Sequence, residues 1–173
     1  ITFADRADGY VVFARTGTQE EGARGISAFF VPAGSRGLAT SRFDDLGGAI
    51  IGRGSVFFDD VRVPLSHRLG EEGKGFTQVM QGFDYSRALI GLQCVGAAQA
   101  SLDEAWAYAK EREAFGRPIG AYQAIKHSLA DMLAQTECAS TAVLYAGWAL
   151  SSDDAQGPLA AAMAQAYASE AYR

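Results

Sequence analysis

The residues best suited to chemistry gather in the stretch 110–123, KEREAFGRPIGAYQ, which reads as a helix end, a tight Gly/Pro turn and the start of a second helix. Arg112, Arg117 and the residues after them then stand where two helix termini meet, a place where guanidinium groups and free backbone N–H groups can hold a phosphorylated ligand. The same residues also suit a plain solvated corner, because exposed charges contribute little there. A second group, Asp84 and Arg87 in QGFDYSR, lies three positions apart on one helical face. It reads either as a local ion pair contributing ~0.2–0.5 kcal/mol or as a polar pair at the mouth of a pocket, orienting an amide- or phosphate-bearing ligand.

Other candidates carry less. His67 and His127 are the two histidines; only Asp131, four after His127, offers either a second ligand at helical spacing, so a metal site is not expected. No G-x-S-x-G is present and neither histidine has an evident nucleophile beside it. The adjacent acids Asp44/Asp45, Asp59/Asp60, Glu71/Glu72 and Asp153/Asp154 read as turn and edge solubilisers rather than acid/base dyads. GEEGKG contains a Gly-Lys pair, but a P-loop needs glycine where Arg68 stands and Ser or Thr where Gly75 stands. Gly52 and Gly54 are followed by Phe57 in place of a third glycine, so a dinucleotide fingerprint is unsupported too.

These candidates need a scaffold. Residues 1 to about 67 read as β: 10–13, 26–31, 38–43 and 55–63 are short runs rich in β-branched and aromatic residues, and TGTQEEGARG suits a loop between antiparallel neighbours. In FFDDVRVP, Val61 and Val63 share a face and Pro64 ends the strand. With no helix between the strands, they suggest part of a barrel or sandwich. From Gly75 to about Glu113 the pattern predicts one long helix, whose middle, ALIGLQCVGAAQASL, should be buried on most sides. A second helix is expected from about 122 to 151, with Tyr122, Ile125, Leu129, Met132, Thr136, Val143, Gly147 and Leu150 forming its apolar stripe. Residues 153–157 form a loop, and Pro158 opens a third helix. Three such helices call for a fourth, supplied beyond Arg173 or by another subunit.

Composition narrows the class. With 49% hydrophobic and 20% charged residues, the chain has material for a core and is not disordered. Its net charge of -5 comes from the second part, since residues 1–70 balance eight acids against eight bases; no basic face for nucleic acid is offered. The nearly uncharged run 88–102 falls short of the roughly 18 residues a membrane span needs. Cys94 and Cys138 lie in apolar helical stretches and read as buried thiols of a reducing compartment. The chain opens inside an apparent strand and stops inside a helical run, so it reads as a piece of something longer.

FFDDVRVPLSHRLGEEGKGF and then GFDYSRALIGLQCVGAAQASLDEAWAYAKEREAFGRPIGAYQAIKHSLADM together resemble the acyl-CoA dehydrogenase family. The similarity rests on a strand followed by Pro-Leu and a Gly-Glu-Gly-Gly-Phe pattern, on Asp-x-x-Arg, and on Arg-x-x-Phe-Gly-x-x-Ile-x-x-x-Gln, in the family's order, and it runs over essentially the whole chain. It implies an α+β, multi-domain protein: part of a middle β-barrel domain at 1–68, then an antiparallel four-helix bundle at 69–173 lacking its last helix. It also implies a homotetramer that uses FAD to desaturate an acyl-CoA thioester between Cα and Cβ, with an electron-transfer flavoprotein or similar acceptor. Such enzymes are cytoplasmic in bacteria or lie in the mitochondrial matrix.

Residue by residue, the resemblance implies that Thr2 contacts the flavin and that Asp84 and Arg87 line the CoA-thioester pocket. Arg112 and Gln123 would address the phosphates of a neighbouring subunit's FAD, and Phe115 would pack on it. Some relatives place the catalytic carboxylate just before the Arg of Asp-x-x-Arg; here Ser86 stands there and has no basicity for the task, so no catalytic residue is assigned. After Leu46 and Gly47 the family commonly has Arg two residues on and Thr further along, whereas this chain has Ala49 and Arg53, a departure that points to an unusual acyl group, cyclic or branched. An acyl-CoA oxidase, or a binding or scaffolding relative of the same fold, are the other functions compatible with the chain.

Overall fold

The computed structural model describes residues 1–44, 46 and 50–173. They form two units, Ile1–Val79 and Met80–Arg173.

In the first unit, β1 (Gly9–Arg15) pairs antiparallel with β2 (Ile26–Pro32), Gly9 opposite Pro32 and Arg15 opposite Ile26. β5 (Arg68–Leu69) joins the other edge of β2. The expected loop between β1 and β2 is wound into 3-10 turns, Gln19–Gly25, with the Glu21 carboxylate accepting the Thr18 N–H at 3.0 Å. β3 (Leu38–Arg42) and β4 (Gly54–Phe58) make a separate antiparallel pair, Leu38 opposite Phe58. Ala4, Tyr10, Ser27, Ala28 and Val31 are the buried residues around which these strands assemble. The Ser27 hydroxyl bonds to the Thr16 hydroxyl at 2.7 Å and accepts the Gly73 N–H at 2.9 Å, tying the glycine-rich loop to β2.

The fourth strand is shorter than expected. β4 ends at Phe58, because its partner starts at Leu38 just after the Gly37 turn (φ +88°) and the last bond of the pair is Asp59 N–H to Gly37 C=O at 2.9 Å. Asp60 then takes a left-handed conformation, φ +46°, so the alternation of Val61 and Val63 belongs to irregular chain.

α1 (Gly75–Glu111), α2 (Gln123–Ser151) and α3 (Gly157–Tyr172) follow, so strands come first and helices after, an α+β arrangement. Their core is largely alanine: Ala88 of α1, Ala139, Val143, Ala146, Ala149 and Leu150 of α2, and Ala160, Ala161, Ala164 and Ala168 of α3. Small side chains let the helices approach closely, and a methyl built on Gly91 would stand 3.0 Å from the Val143 side chain. Pro158 lies in the first turn of α3, one residue after its start.

Three expectations need correction here. The middle of α1 is not buried on most sides: Ala88, Gly91, Ala98 and Leu102 are covered, whereas Leu89 is 62% exposed and Leu92 also faces outward. One stripe suffices to pack a helix against two neighbours, and Leu89 and Leu92 lie off that stripe. On α2 the contact face centres on Thr136, Ala139, Val143, Ala146 and Leu150; Ile125, Leu129 and Met132 are half-buried and Gly147 is exposed. Nor are the cysteines both buried. Cys94 is half-buried and Cys138 exposed, because Cys138 is one position, about 100° of helical turn, off the face that Ala139 marks. Among the described residues, no helix is long and apolar enough to cross a membrane.

Candidate functional site

The corner between α1 and α2 is built by a miniature hairpin. β6 (Glu113–Ala114) pairs with β7 (Arg117–Pro118), and the two residues between them, Phe115 (φ +53°) and Gly116 (φ +79°), are both left-handed, as a twisted two-residue hairpin requires. Glycine adopts that geometry freely; a left-handed Phe costs ~1–2 kcal/mol. The Ile119 N–H donates to the Arg112 carbonyl at 2.8 Å, and the Tyr122 hydroxyl donates to the Ala114 carbonyl at 2.8 Å. The entry to α2 is thereby fastened to the exit of α1.

Arg112, Phe115 and Gln123 all belong to this corner, and all three are exposed, Phe115 by 97%. An uncovered aromatic ring on a strained backbone, flanked by a guanidinium and a side-chain amide, offers a flat apolar face and several hydrogen-bond donors to a ligand. Arg117 stands between the two helix termini, as the sequence reading has it. Its guanidinium stacks over the Tyr122 ring, 4.2 Å from the centroid, and Phe115 meets the same ring edge-on at 6.5 Å. Tyr122 thus organises the corner, and sequence reasoning counted it only as a stripe residue; its signal was its place just before the helix, after a hairpin marked by Gly116.

Asp84 and Arg87 form the expected pair, Nη1 to Oδ1 at 2.6 Å, with side chains 17% and 39% exposed. The neighbouring Tyr85 hydroxyl donates to the Leu150 carbonyl at 3.2 Å. A groove of about 410 Å³ runs here, lined by Gln81, Asp84, Tyr85, Asp153, Asp154 and Pro158 among others. Ser86, between the pair, has no acid or base chemistry to add.

Thr2, in the first unit, is exposed and makes an isolated antiparallel bridge with Arg53. Its surroundings are fixed at several points. Gly54 N–H donates to the Ile1 carbonyl at 2.9 Å, Ala4 N–H to the Gly52 carbonyl at 3.1 Å, and the buried Tyr10 hydroxyl to the Ala4 carbonyl at 2.7 Å. Phe3, between Thr2 and Ala4, is left-handed at φ +57°, and its carbonyl accepts the Arg6 and Ala7 N–H groups. Gly52 is also left-handed (φ +69°), and a methyl there would fall 2.4 Å from the Asp5 carboxylate. Of the substrate-side departure noted above, Gly47 and Ala49 lie outside the described residues.

His67 lies with Nδ1 3.2 Å from the Phe30 carbonyl and His127 is exposed on α2. Among the described residues, no three His, Cys, Asp or Glu side chains gather as metal ligands. Beside Cys138, the Tyr167 phenol is raised above its ordinary 10.0 by desolvation first, then by the charge and hydrogen bond of that thiol.

Comparison with known proteins bears on both units. A family profile described as "Acyl-CoA dehydrogenase, C-terminal domain" matches residues 73–173. Subunit CarC of the caffeyl-CoA reductase–Etf complex of Acetobacterium woodii is 39% identical over 171 residues, 98% of this chain and 45% of that protein. The structure of butyryl-CoA dehydrogenase from Megasphaera elsdenii superposes with a TM-score of 0.90 at 36% identity, over 98% of this chain and 44% of that one. The structure described as PigA with FAD and proline superposes at 0.88 with 26% identity, over 99% and 44%. The chain therefore spans less than half the length of the relatives it matches. With a family profile covering most of the helical half and whole-chain likeness extending through the strands, this chain belongs to the acyl-CoA dehydrogenase family.

Proposed function

We propose that the protein to which these residues belong is an FAD-dependent acyl-CoA dehydrogenase, which removes the α proton and β hydrogen of an acyl-CoA thioester. The observation that carries this reading is the α1–α2 corner, where Arg112, Phe115 and Gln123 stand exposed in a segment that the family profile covers. A guanidinium and a carboxamide suit a pyrophosphate, and an uncovered phenyl ring suits a flat heterocycle. The residues present thus fit a flavin dinucleotide, and because they are exposed on their own chain, they would hold the FAD of a neighbouring subunit in a homotetramer. Bound FAD would supply the acceptor for the β hydrogen as hydride.

The chain's own residues bind and orient. Arg87, held by Asp84, presents N–H donors to the CoA thioester, and Thr2 touches the flavin. Ser86 cannot take the α proton, so no residue among 1–173 is assigned as base. We assign residues 1–68 to the middle β domain and 69–173 to the helical domain. Electrons pass on to an electron-transfer flavoprotein, in the bacterial cytoplasm or the mitochondrial matrix.

The test uses the full-length protein. Purified protein should show flavin absorbance that bleaches anaerobically with at least one member of a panel of linear, branched and cyclic acyl-CoA thioesters. A flavin that no thioester bleaches would remove the dehydrogenase reading, and a colourless protein that takes up no FAD would remove the cofactor as well.

A further inference from the structure

Thr2 lies two residues from a carbonyl that a side chain of the sheet holds. Tyr10 sits in β1, where it pairs with Val31 of β2, and is 7% exposed. From that rigid place its hydroxyl reaches the Ala4 carbonyl at 2.7 Å. Ala4 is fully buried, and its N–H is already engaged with the Gly52 carbonyl. Both backbone groups of Ala4 are thus held, one by the β3–β4 connection and one by the sheet. The single residue between Ala4 and Thr2 is the left-handed Phe3, a conformation that a bulky residue keeps only when its surroundings enforce it. Beyond Thr2, the Ile1 carbonyl is held by Gly54.

We propose that Tyr10 is a positioning residue for the flavin environment, its hydroxyl holding Ala4 and, through the left-handed Phe3, setting the orientation in which Thr2 meets the flavin. The inference rests on the reading above that Thr2 contacts FAD. Removing the hydroxyl leaves the Ala4 carbonyl buried without that donor, which loosens one of the bonds that keep Phe3 left-handed and so shifts the orientation of Thr2.

The experiment compares Thr2→Ala, Tyr10→Phe and the double variant in the full-length holoenzyme, reading the visible flavin spectrum, the flavin midpoint potential and the FAD Kd. Tyr10→Phe is expected to shift the spectrum and potential in the same direction as Thr2→Ala and to raise the FAD Kd about three- to tenfold, and to have no further effect when Thr2 is already Ala. A Tyr10→Phe enzyme with wild-type flavin properties, or one whose shifts persist undiminished in the Thr2→Ala background, overturns the positioning role while leaving the Thr2 contact standing. A Thr2→Ala enzyme with an unaltered flavin brings down the contact itself. If Tyr10→Phe does not fold, Phe3→Gly, which releases the left-handed link between Ala4 and Thr2 without touching Tyr10, takes its place: the flavin spectrum and FAD Kd should shift as in Thr2→Ala, and wild-type values overturn the proposal.

Discussion

Tyr122 donates its hydroxyl to the Ala114 carbonyl across 2.8 Å, and that bond joins the residue that caps the start of α2 to the hairpin before it. The same ring supports Arg117 on one face. Tyr122→Phe in the full-length protein should therefore lower unfolding free energy by ~0.5–1.5 kcal/mol, and Tyr122→Leu by about a further 0.5–1 kcal/mol as the guanidinium loses its ring. Denaturant titrations of the two variants check this; equal losses from Phe and Leu would show that the stacked ring contributes nothing.

Two glycines of α1 should respond in opposite directions to the same change. A methyl on Gly75 would fall 2.7 Å from the Ser27 carbonyl carbon and 2.8 Å from the Ala28 nitrogen, backbone atoms of a paired strand that cannot easily give way. Gly75→Ala should cost ~2–4 kcal/mol. A methyl on Gly96 meets nothing within 4 Å, so Gly96→Ala should add ~0.5–1 kcal/mol through helix propensity alone. Thermal melts of the pair measure the difference, and a stabilised Gly75→Ala would show that the close approach is not as described.

The Asp84–Arg87 pair should matter more to ligand than to fold. Arg87 is over a third exposed, so solvent screens the pair and each of Asp84→Asn and Arg87→Lys should change stability by less than ~1 kcal/mol. A charged hydrogen bond to a thioester or pantetheine group is worth ~1.5–3 kcal/mol, which corresponds to a rise of about tenfold or more in KM for acyl-CoA. Steady-state kinetics beside a denaturation curve separates the two. A KM unchanged by both substitutions would take the pair out of the substrate pocket.

Stability should also fall in alkali, through Tyr167. Its phenol is raised above 10.0 in the folded chain, so between 10.0 and that higher value the folded state keeps a proton that the unfolded state has released. Stability then decreases as pH rises through this window, and the contribution is whole below 10.0. Tyr167→Phe should flatten the slope of unfolding free energy against pH above 10.0. An identical slope in the variant would assign the alkaline loss to other groups.

Much of this architecture was legible in the residues. Aromatic and β-branched runs at 10–13 and 26–31 mark β1 and β2, and Gly116 with Pro118 marks the break between α1 and α2 within two residues of its place. The errors have physical causes. Val61 and Val63 alternate like a strand, yet pairing stops at Phe58 because β3 has no residue left to offer. The expected α2 stripe caught Thr136, Val143 and Leu150 but missed Ala139, Ala146 and Ala149, the small residues that close helix contact selects. Around the candidate site, the residues alone pointed to Arg112 and Arg117, and the family resemblance added Phe115 and Gln123, whose ligand remains the proposal above. The hydroxyls of Tyr10 and Tyr122 bond to backbone carbonyls, acceptors that every residue carries, so the sequence does not name the partner of either.

Leu89 and Leu92 of α1, Leu144 and Trp148 of α2, and Leu159 and Met163 of α3 all point outward from the helical unit. Exposed apolar positions of this kind are what a docking partner would cover, and there a drift to Lys or Glu, harmless on most surfaces, would weaken the docking. Prepared at high concentration without the remainder of its polypeptide, the segment should also clump and bind hydrophobic dyes.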